Sequence, residues 1–104
     1  MDDSEFEAQA GAALEAIEQA LEKTDLDFEL KPGGVVEIEF DDGSKIIVNR
    51  HGAAREIWVA ARSGGFHFRW DGVAWRDTRS GDELFTALSE LVSERLGRRV
   101  RLGG

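Results

Sequence analysis

The hydrophobic period of this sequence changes twice along the chain, and this limits the folds open to it. Apolar residues in the first 22 positions recur every three or four residues, the spacing of one helix face: Phe6, Ala10, Ala13, Leu14, Ile17 and Leu21. From Leu26 to Trp70 apolar and polar residues alternate, which indicates strands with one buried face. A second helical stripe follows at Leu84, Leu88, Leu91 and Val92. Two single-striped helices and a one-sided sheet predict an α+β fold.

Turn signals divide the alternating region into about six antiparallel strands, with both terminal helices packed on one face as a two-layer α/β sandwich. The first helix is predicted over about residues 5 to 23, opened by a capping box at Ser4–Glu7. A second capping box, Ser80–Glu83, opens the last helix, and Gly97 ends it. A three-residue turn at Asp41–Gly43 pairs residue 40 with residue 44.

Composition narrows the function classes. The chain has no cysteine, which excludes a disulfide framework, a thiol nucleophile and a cysteine-ligated cluster. Residues 1–44 carry fourteen acids against two lysines, net −12, whereas residues 45–104 carry seven acids against eleven bases, net +4. An acidic half repels phosphate, so we expect no nucleic-acid partner. With no signal peptide or membrane-length apolar run, we expect no membrane partner and a cytoplasmic location.

Carboxylates form a row opposite the apolar stripe of the first helix. Glu15, Glu18, Glu22 and Asp25 follow one another at steps of three to four residues, and Glu7 lies on nearly the same side of the helix. Asp27 and Glu29 continue the row onto the first strand. Such a row is either an ordinary solvated helix face or a site for cations or a basic protein surface. Carboxylates suit Fe²⁺, Mn²⁺, Ca²⁺ or Mg²⁺, and without a wrapping loop binding is expected at dissociation constants on the order of 10⁻⁵ to 10⁻³ M.

Alternation also places one tryptophan on the solvent side of the sheet. Ile57 and Val59 point inward, so Trp58 is predicted to be exposed, whereas Trp70 and Trp75 are assigned to packing. The outward neighbours predicted for Trp58 are Asn49, Arg62, His67 and Arg69. An aromatic ring among such residues is typical of a protein-contact hot spot. No catalytic signature accompanies the two histidines, so the chain is expected not to be an enzyme.

Five segments, in this order and spacing, resemble the bacterial frataxin family. They are Asp3–Phe6, the hairpin Gly43–Arg50, Ile57–Ala60 followed by Gly64–Phe68, and Arg79–Gly81 before the last helix. The resemblance implies a single frataxin-like domain over residues 1–104, with the same helix, sheet, helix sandwich. It also implies an iron chaperone or regulator of iron-sulfur cluster assembly that contacts the cysteine desulfurase and its scaffold.

The resemblance carries over to individual residues. Glu18, Glu22, Asp25, Asp27 and Glu29 fall where the family binds Fe²⁺ and Fe³⁺, with Asp3 and Glu7 nearby at the helix start. We call the full set the acidic ridge: Asp3, Glu7, Glu15, Glu18, Glu22, Asp25, Asp27 and Glu29.

The family's exposed sheet-face contacts correspond to Asn49, Arg50 and Trp58. Gln19 and Lys23 replace residues that are often acidic in bacterial members, which bears on the number of irons bound. No organic cofactor is implied. The protein is expected to be a monomer that can oligomerise with iron. The alternative is a protein-binding module that docks on a basic partner surface, with metal binding incidental.

Overall fold

The computed structural model describes residues 1–103, which form two helices and six strands. In chain order they are α1 (Asp3–Glu22), β1 (Asp27–Lys31), β2 (Val35–Glu39), β3 (Lys45–His51), β4 (Glu56–Ala61), β5 (Gly64–Trp70), β6 (Trp75–Asp77) and α2 (Leu84–Leu96). The strands form one antiparallel sheet in which their spatial order follows their sequence order. The predicted α+β architecture is confirmed. Within residues 1–103, neither helix is long and apolar enough to cross a membrane.

The two faces of the sheet differ in what covers them. Val36 pairs with Val48, and Ile38 with Ile46, so these buried side chains share one face, which we call the helix face. They join the stripes of α1 and α2 in one hydrophobic core. The opposite face, the outer face, has no helix against it among the described residues.

The β2–β3 turn has the predicted three-residue form. The Phe40 amide donates to the Ser44 carbonyl at 3.0 Å, and the Gly43 amide donates to the Phe40 carbonyl at 2.9 Å. Gly43 has a φ of 84°, the left-handed conformation that this turn requires at its last residue. The turn sets the register that places Ile46 and Val48 in the core.

Both predicted capping boxes are wrong, although both helices form. The N-cap of α1 is Asp2, whose carboxylate accepts from the Glu5 amide at 2.8 Å. The N-cap of α2 is Glu83, whose carboxylate accepts from the Phe85 and Thr86 amides. Several residues before each helix can accept such a bond, and the neighbouring backbone decides which one does.

Leu30 departs from the predicted alternation, since its side chain is 52% exposed although its partner Val36 is buried. Both residues are on the helix face. β1 is the edge strand of the sheet, and an open groove separates it from α1, so the helix does not cover Leu30.

The β2–β3 turn is tied to α2 through Asp42. Its carboxylate accepts from the Ser44 hydroxyl at 2.6 Å, the Ser44 amide at 2.9 Å and the Arg95 guanidinium at 2.7 Å. The Ser44 hydroxyl and amide, followed by Arg95, lower the pKa of Asp42 from 3.8 to about 2.

We expect Asp42→Asn to destabilise the protein at neutral pH. A carboxyl whose pKa is lowered by folding stabilises the folded state above its ordinary value of 3.8 and loses that effect as pH falls towards about 2. The melting-temperature difference between wild type and Asp42→Asn should therefore shrink over this interval. Asp41→Asn, in the same turn, is the control. A difference that stays constant with pH would contradict the assignment.

Candidate functional site

Three carboxylates of the acidic ridge lie together on one wall of the groove between α1 and the sheet edge. Glu15, Glu18 and Glu22 line this groove, and Leu30 lies on its opposite wall. Within residues 1–103 no lysine or arginine lies within ion-pair distance of these three carboxylates. Glu15 accepts a long hydrogen bond, 3.5 Å, from the Gln19 side-chain amide. We call Glu15, Glu18 and Glu22 the groove carboxylates.

The ridge acids of β1 lie on a different surface. Asp27 pairs with Glu39 across the β1–β2 ladder, and Glu29 pairs with Glu37. These four carboxylates are on the outer face, because the intervening pair, Phe28 and Ile38, is on the helix face. Among residues 1–103, Glu37 is the one member of this group that forms ion pairs, with two lysines. The strand therefore separates Asp27 and Glu29 from the groove carboxylates.

Glu37 shows how effectively such an acid can be neutralised in this sheet. Lys31 and Lys45 place their ammonium groups 3.0 and 3.2 Å from its two oxygens. Hydrogen bonds from Lys31 and then Lys45 hold its pKa below the ordinary value, which outweighs the opposing effect of partial desolvation. Glu37 is therefore the least available carboxylate of its row for a metal ion.

The remaining three ridge acids are occupied by arginines. Glu7 bonds Arg50 at 2.9 Å, Asp3 bonds Arg55 at 2.9 Å, and Asp25 bonds Arg98 at 3.2 Å. The sequence predicted one continuous ridge of eight acids. The structure instead divides it into groove, outer-face and arginine-paired groups, because its members lie on different sides of the sheet edge.

The carboxylates fit a hard cation such as Fe²⁺ by chemistry, since charged oxygens are its preferred ligands. Among residues 1–103, however, no three His, Cys, Asp or Glu side chains are already gathered closely enough to hold a metal ion. An ion in the groove would therefore keep much of its water, with one or two carboxylates from α1 as ligands. This arrangement fits weak, exchangeable binding.

A second cluster occupies the centre of the outer face. Trp58 lies between two imidazole rings: its centroid is 3.7 Å from that of His51 and 4.6 Å from that of His67, with both pairs nearly parallel. The Ala54 amide donates to His51 Nδ1 at 3.2 Å and helps to hold that ring. We call His51, Trp58 and His67 the aromatic stack. Trp58 is on the predicted face, but it is half-buried rather than exposed, because the histidines cover both sides of its ring.

A carboxylate lies beneath this stack. Glu56 accepts from Trp58 Nε1 at 2.8 Å and from Arg69 Nε at 2.6 Å, and His67 Nδ1 is 3.4 Å from the same oxygen that Trp58 contacts. Burial raises the pKa of Glu56, but the bonds from Trp58 and Arg69 and the charge of Arg69 outweigh it, so the net shift is downward. Glu56 therefore stays ionised beneath the rings.

The other predicted contact residues lie in three different places. Asn49 pairs directly with Trp58 and lies beside the aromatic stack on β3. Arg50 pairs with the buried Ile57, so it lies on the helix face and not among the exposed sheet-face contacts. Arg62 lies beyond the end of β4, 3.8 Å from Asp42. Arg62 is four residues from Trp58, a distance of about 13 Å along a strand, so it is too far away to belong to the aromatic stack.

The sequence matches the family model for the frataxin-like domain over residues 1–98. This chain belongs to the frataxin family. It is 64% identical to the iron-sulfur cluster assembly protein CyaY of Dechloromonas aromatica, over 98% of this chain and 99% of that protein. The CyaY of Cupriavidus pinatubonensis is 52% identical, over 99% of this chain and 97% of its own.

Solved frataxin structures share its architecture. The frataxin of Psychromonas ingrahamii superposes with a TM-score of 0.90 at 30% identity, and each chain is covered completely. A trimeric yeast frataxin, solved in complex with ferrous iron, superposes with a TM-score of 0.67 at 22% identity, over 94% of this chain and 88% of that one. At this lower identity the comparison shows the shared fold alone.

Sequence reasoning missed two members of the outer-face cluster of this frataxin, His51 and Glu56. The expected alternation of β3 and β4 could have placed both on the outer face beside Trp58. Arg69 was recognised as a neighbour of Trp58 but not as the partner of Glu56. The missing information was the β3–β4 register, which pairs His51 with Glu56 and Asn49 with Trp58.

Proposed function

We propose that this frataxin binds Fe²⁺ and Fe³⁺ weakly on the acidic ridge and serves iron-sulfur cluster assembly as an iron chaperone or regulator. The observation that carries the iron-binding proposal is the group of three groove carboxylates without a basic counter-ion in residues 1–103. Asp27 and Glu29 are a second, separate candidate group on the outer face, where Asp27 is paired with a further acid, Glu39. The names of the CyaY relatives supply the pathway.

The proposed partners are the cysteine desulfurase and the scaffold protein of cluster assembly. The aromatic stack and Asn49 supply one contact surface, since clustered aromatic side chains at a partly buried patch are typical of interface hot spots. The acidic ridge supplies a second surface, suited to a basic patch on a partner. We propose a non-enzymatic role, in the cytoplasm, for a monomer that can oligomerise with iron.

The alternative function is a protein-docking module for which iron is incidental. The three arginine-paired acids of the ridge favour it, because carboxylates that bond Arg50, Arg55 and Arg98 are poorly available to a metal but could exchange those partners for basic groups of another protein. In this reading the ridge attracts a basic partner surface whether or not iron is present.

Desulfurase binding measured anaerobically with and without Fe²⁺ separates the two functions. For an iron-dependent regulator, we expect Fe²⁺ to change the dissociation constant at least about fivefold, the lower end of typical coupling between two sites. Mg²⁺ at the same concentration is the control for simple charge screening. An affinity that ignores Fe²⁺ but falls with added salt would support the docking module instead.

A further inference from the structure

Glu56 is an unusual residue for the solvent side of a sheet. Its relative exposure is only 5%, although no helix covers the outer face among the described residues. Acidic side chains are almost never so buried unless they are paired, because desolvating the charge is costly. The rings of the aromatic stack and the Arg69 side chain bury it, and they also supply its partners.

The two carboxylate oxygens of Glu56 accept hydrogen bonds from side chains on different strands. Oε1 accepts from the indole N–H of Trp58 on β4, at 2.8 Å, and Oε2 accepts from Nε of Arg69 on β5, at 2.6 Å. With His67 Nδ1 nearby, at 3.4 Å, a single carboxylate contacts the side chains of Trp58, Arg69 and His67. Each donor group is thereby held in one orientation with respect to the others.

These bonds determine what the surface can offer to a partner. The imidazole rings of His51 and His67 cover the two faces of the Trp58 ring, and Glu56 accepts from the indole N–H. The part of Trp58 that a partner protein can contact is therefore an edge of the ring. Arg69 remains 69% exposed while its Nε is bonded to Glu56. Contact groups held in place before binding lose less conformational entropy on association.

We propose that Glu56 is the positioning residue of this contact surface, fixing Trp58 and Arg69 in the orientation in which a partner protein meets them. This inference rests on the proposed contact at Trp58. It assigns no direct partner contact to Glu56, which acts through the indole and the guanidinium.

Glu56→Gln tests the proposal without changing the size of the side chain. A glutamine has one acceptor oxygen, so it cannot accept from both Trp58 and Arg69 on separate oxygens, and its amide nitrogen meets a donor. In the free protein we expect the indole N–H resonance of Trp58 to shift and its hydrogen exchange to accelerate at least about tenfold. Binding to the purified desulfurase–scaffold complex should weaken at least about tenfold, as for a residue within a hot spot.

Glu39→Gln is the matched control, because it removes the same charge from an exposed position on the same face. It should leave the Trp58 resonance unchanged. Glu56→Asp guards against unfolding of the glutamine variant. Aspartate keeps the negative charge, and the flexible Arg69 side chain can move to stay paired with it. Its side chain is shorter by one carbon–carbon bond, ~1.5 Å, so the carboxylate is withdrawn from Trp58. We expect it to shift the indole resonance and weaken binding as well.

A double-mutant cycle of Glu56→Gln with Trp58→Phe distinguishes the positioning of Trp58 by Glu56 from an effect of Glu56 on overall stability. Phenylalanine keeps a ring between the histidines but has no N–H, so Glu56→Gln should weaken binding much less in this background than in the wild type. Equal losses in the two backgrounds, or a Glu56→Gln protein that matches Glu39→Gln in resonance and affinity, would overturn the proposal. If Trp58→Ala itself binds normally, the proposed contact at Trp58 fails instead.

Discussion

Trp58→Ala is expected to weaken binding to the desulfurase–scaffold complex at least about 30-fold, a loss on the order of 2 kcal/mol, while the protein stays folded. The substitution removes the central ring of the aromatic stack and leaves Glu56 without its indole donor. Binding titrations measure the first effect. Fe²⁺ affinity should be unchanged, because the groove carboxylates lie beside α1, and Asp27 and Glu29 lie on β1, which β2 and β3 separate from β4.

The cost in folding stability distinguishes this surface tryptophan from a core tryptophan. Loss of two stacked neighbours, each worth about 0.5–1.5 kcal/mol, predicts that Trp58→Ala lowers the free energy of unfolding by about 1–3 kcal/mol. Trp75 is 3% exposed and lies in the core, so Trp75→Ala should cost about 3–5 kcal/mol. Denaturant titrations compare the two. A loss for Trp58→Ala as large as that for Trp75→Ala would mean that Trp58 is mainly a packing residue.

The double substitution Glu18→Gln, Glu22→Gln is expected to weaken Fe²⁺ binding at least about tenfold and desulfurase binding as well. It removes two of the three groove carboxylates, the ligands of the proposed site. The two glutamates are one helix turn apart and repel each other, so stability should stay equal or rise by a few tenths of a kcal/mol. Anaerobic Fe²⁺ titration and thermal unfolding measure these effects.

Glu90 and Glu94 of α2 provide the control for this experiment. They have the same spacing on a helix and are exposed, so Glu90→Gln, Glu94→Gln makes the same change in net charge elsewhere. If both double variants bind Fe²⁺ with equal affinity, the iron does not bind in the groove, and the outer-face acids Asp27 and Glu29 become the candidates. If Glu18→Gln, Glu22→Gln leaves desulfurase binding unchanged, the groove is not part of the docking surface.

Much of the fold followed from local pattern. The positions of Val36, Ile38, Ile46 and Val48 were predictable, because side chains alternate along a strand and a shifted register would expose the whole apolar set. The left-handed Gly97 that ends α2 was equally local. The N-caps were predicted incorrectly because serine and acidic side chains near each helix start compete for the same amides, and small differences in backbone geometry decide between them.

The type of each main element, the side of the sheet on which Trp58 lies and the acidic N-terminal half could therefore be predicted from local sequence. Which charges remain available depends on tertiary packing. Asp3 pairs with Arg55 and Asp25 with Arg98, partners 52 and 73 residues apart in the chain. The burial of Glu56 beneath Trp58 likewise depends on how β3, β4 and β5 align. Hydrophobic periodicity indicates the side of a helix or strand on which a side chain lies. Ion pairs and stacked rings depend instead on the distances between elements, which are set by packing.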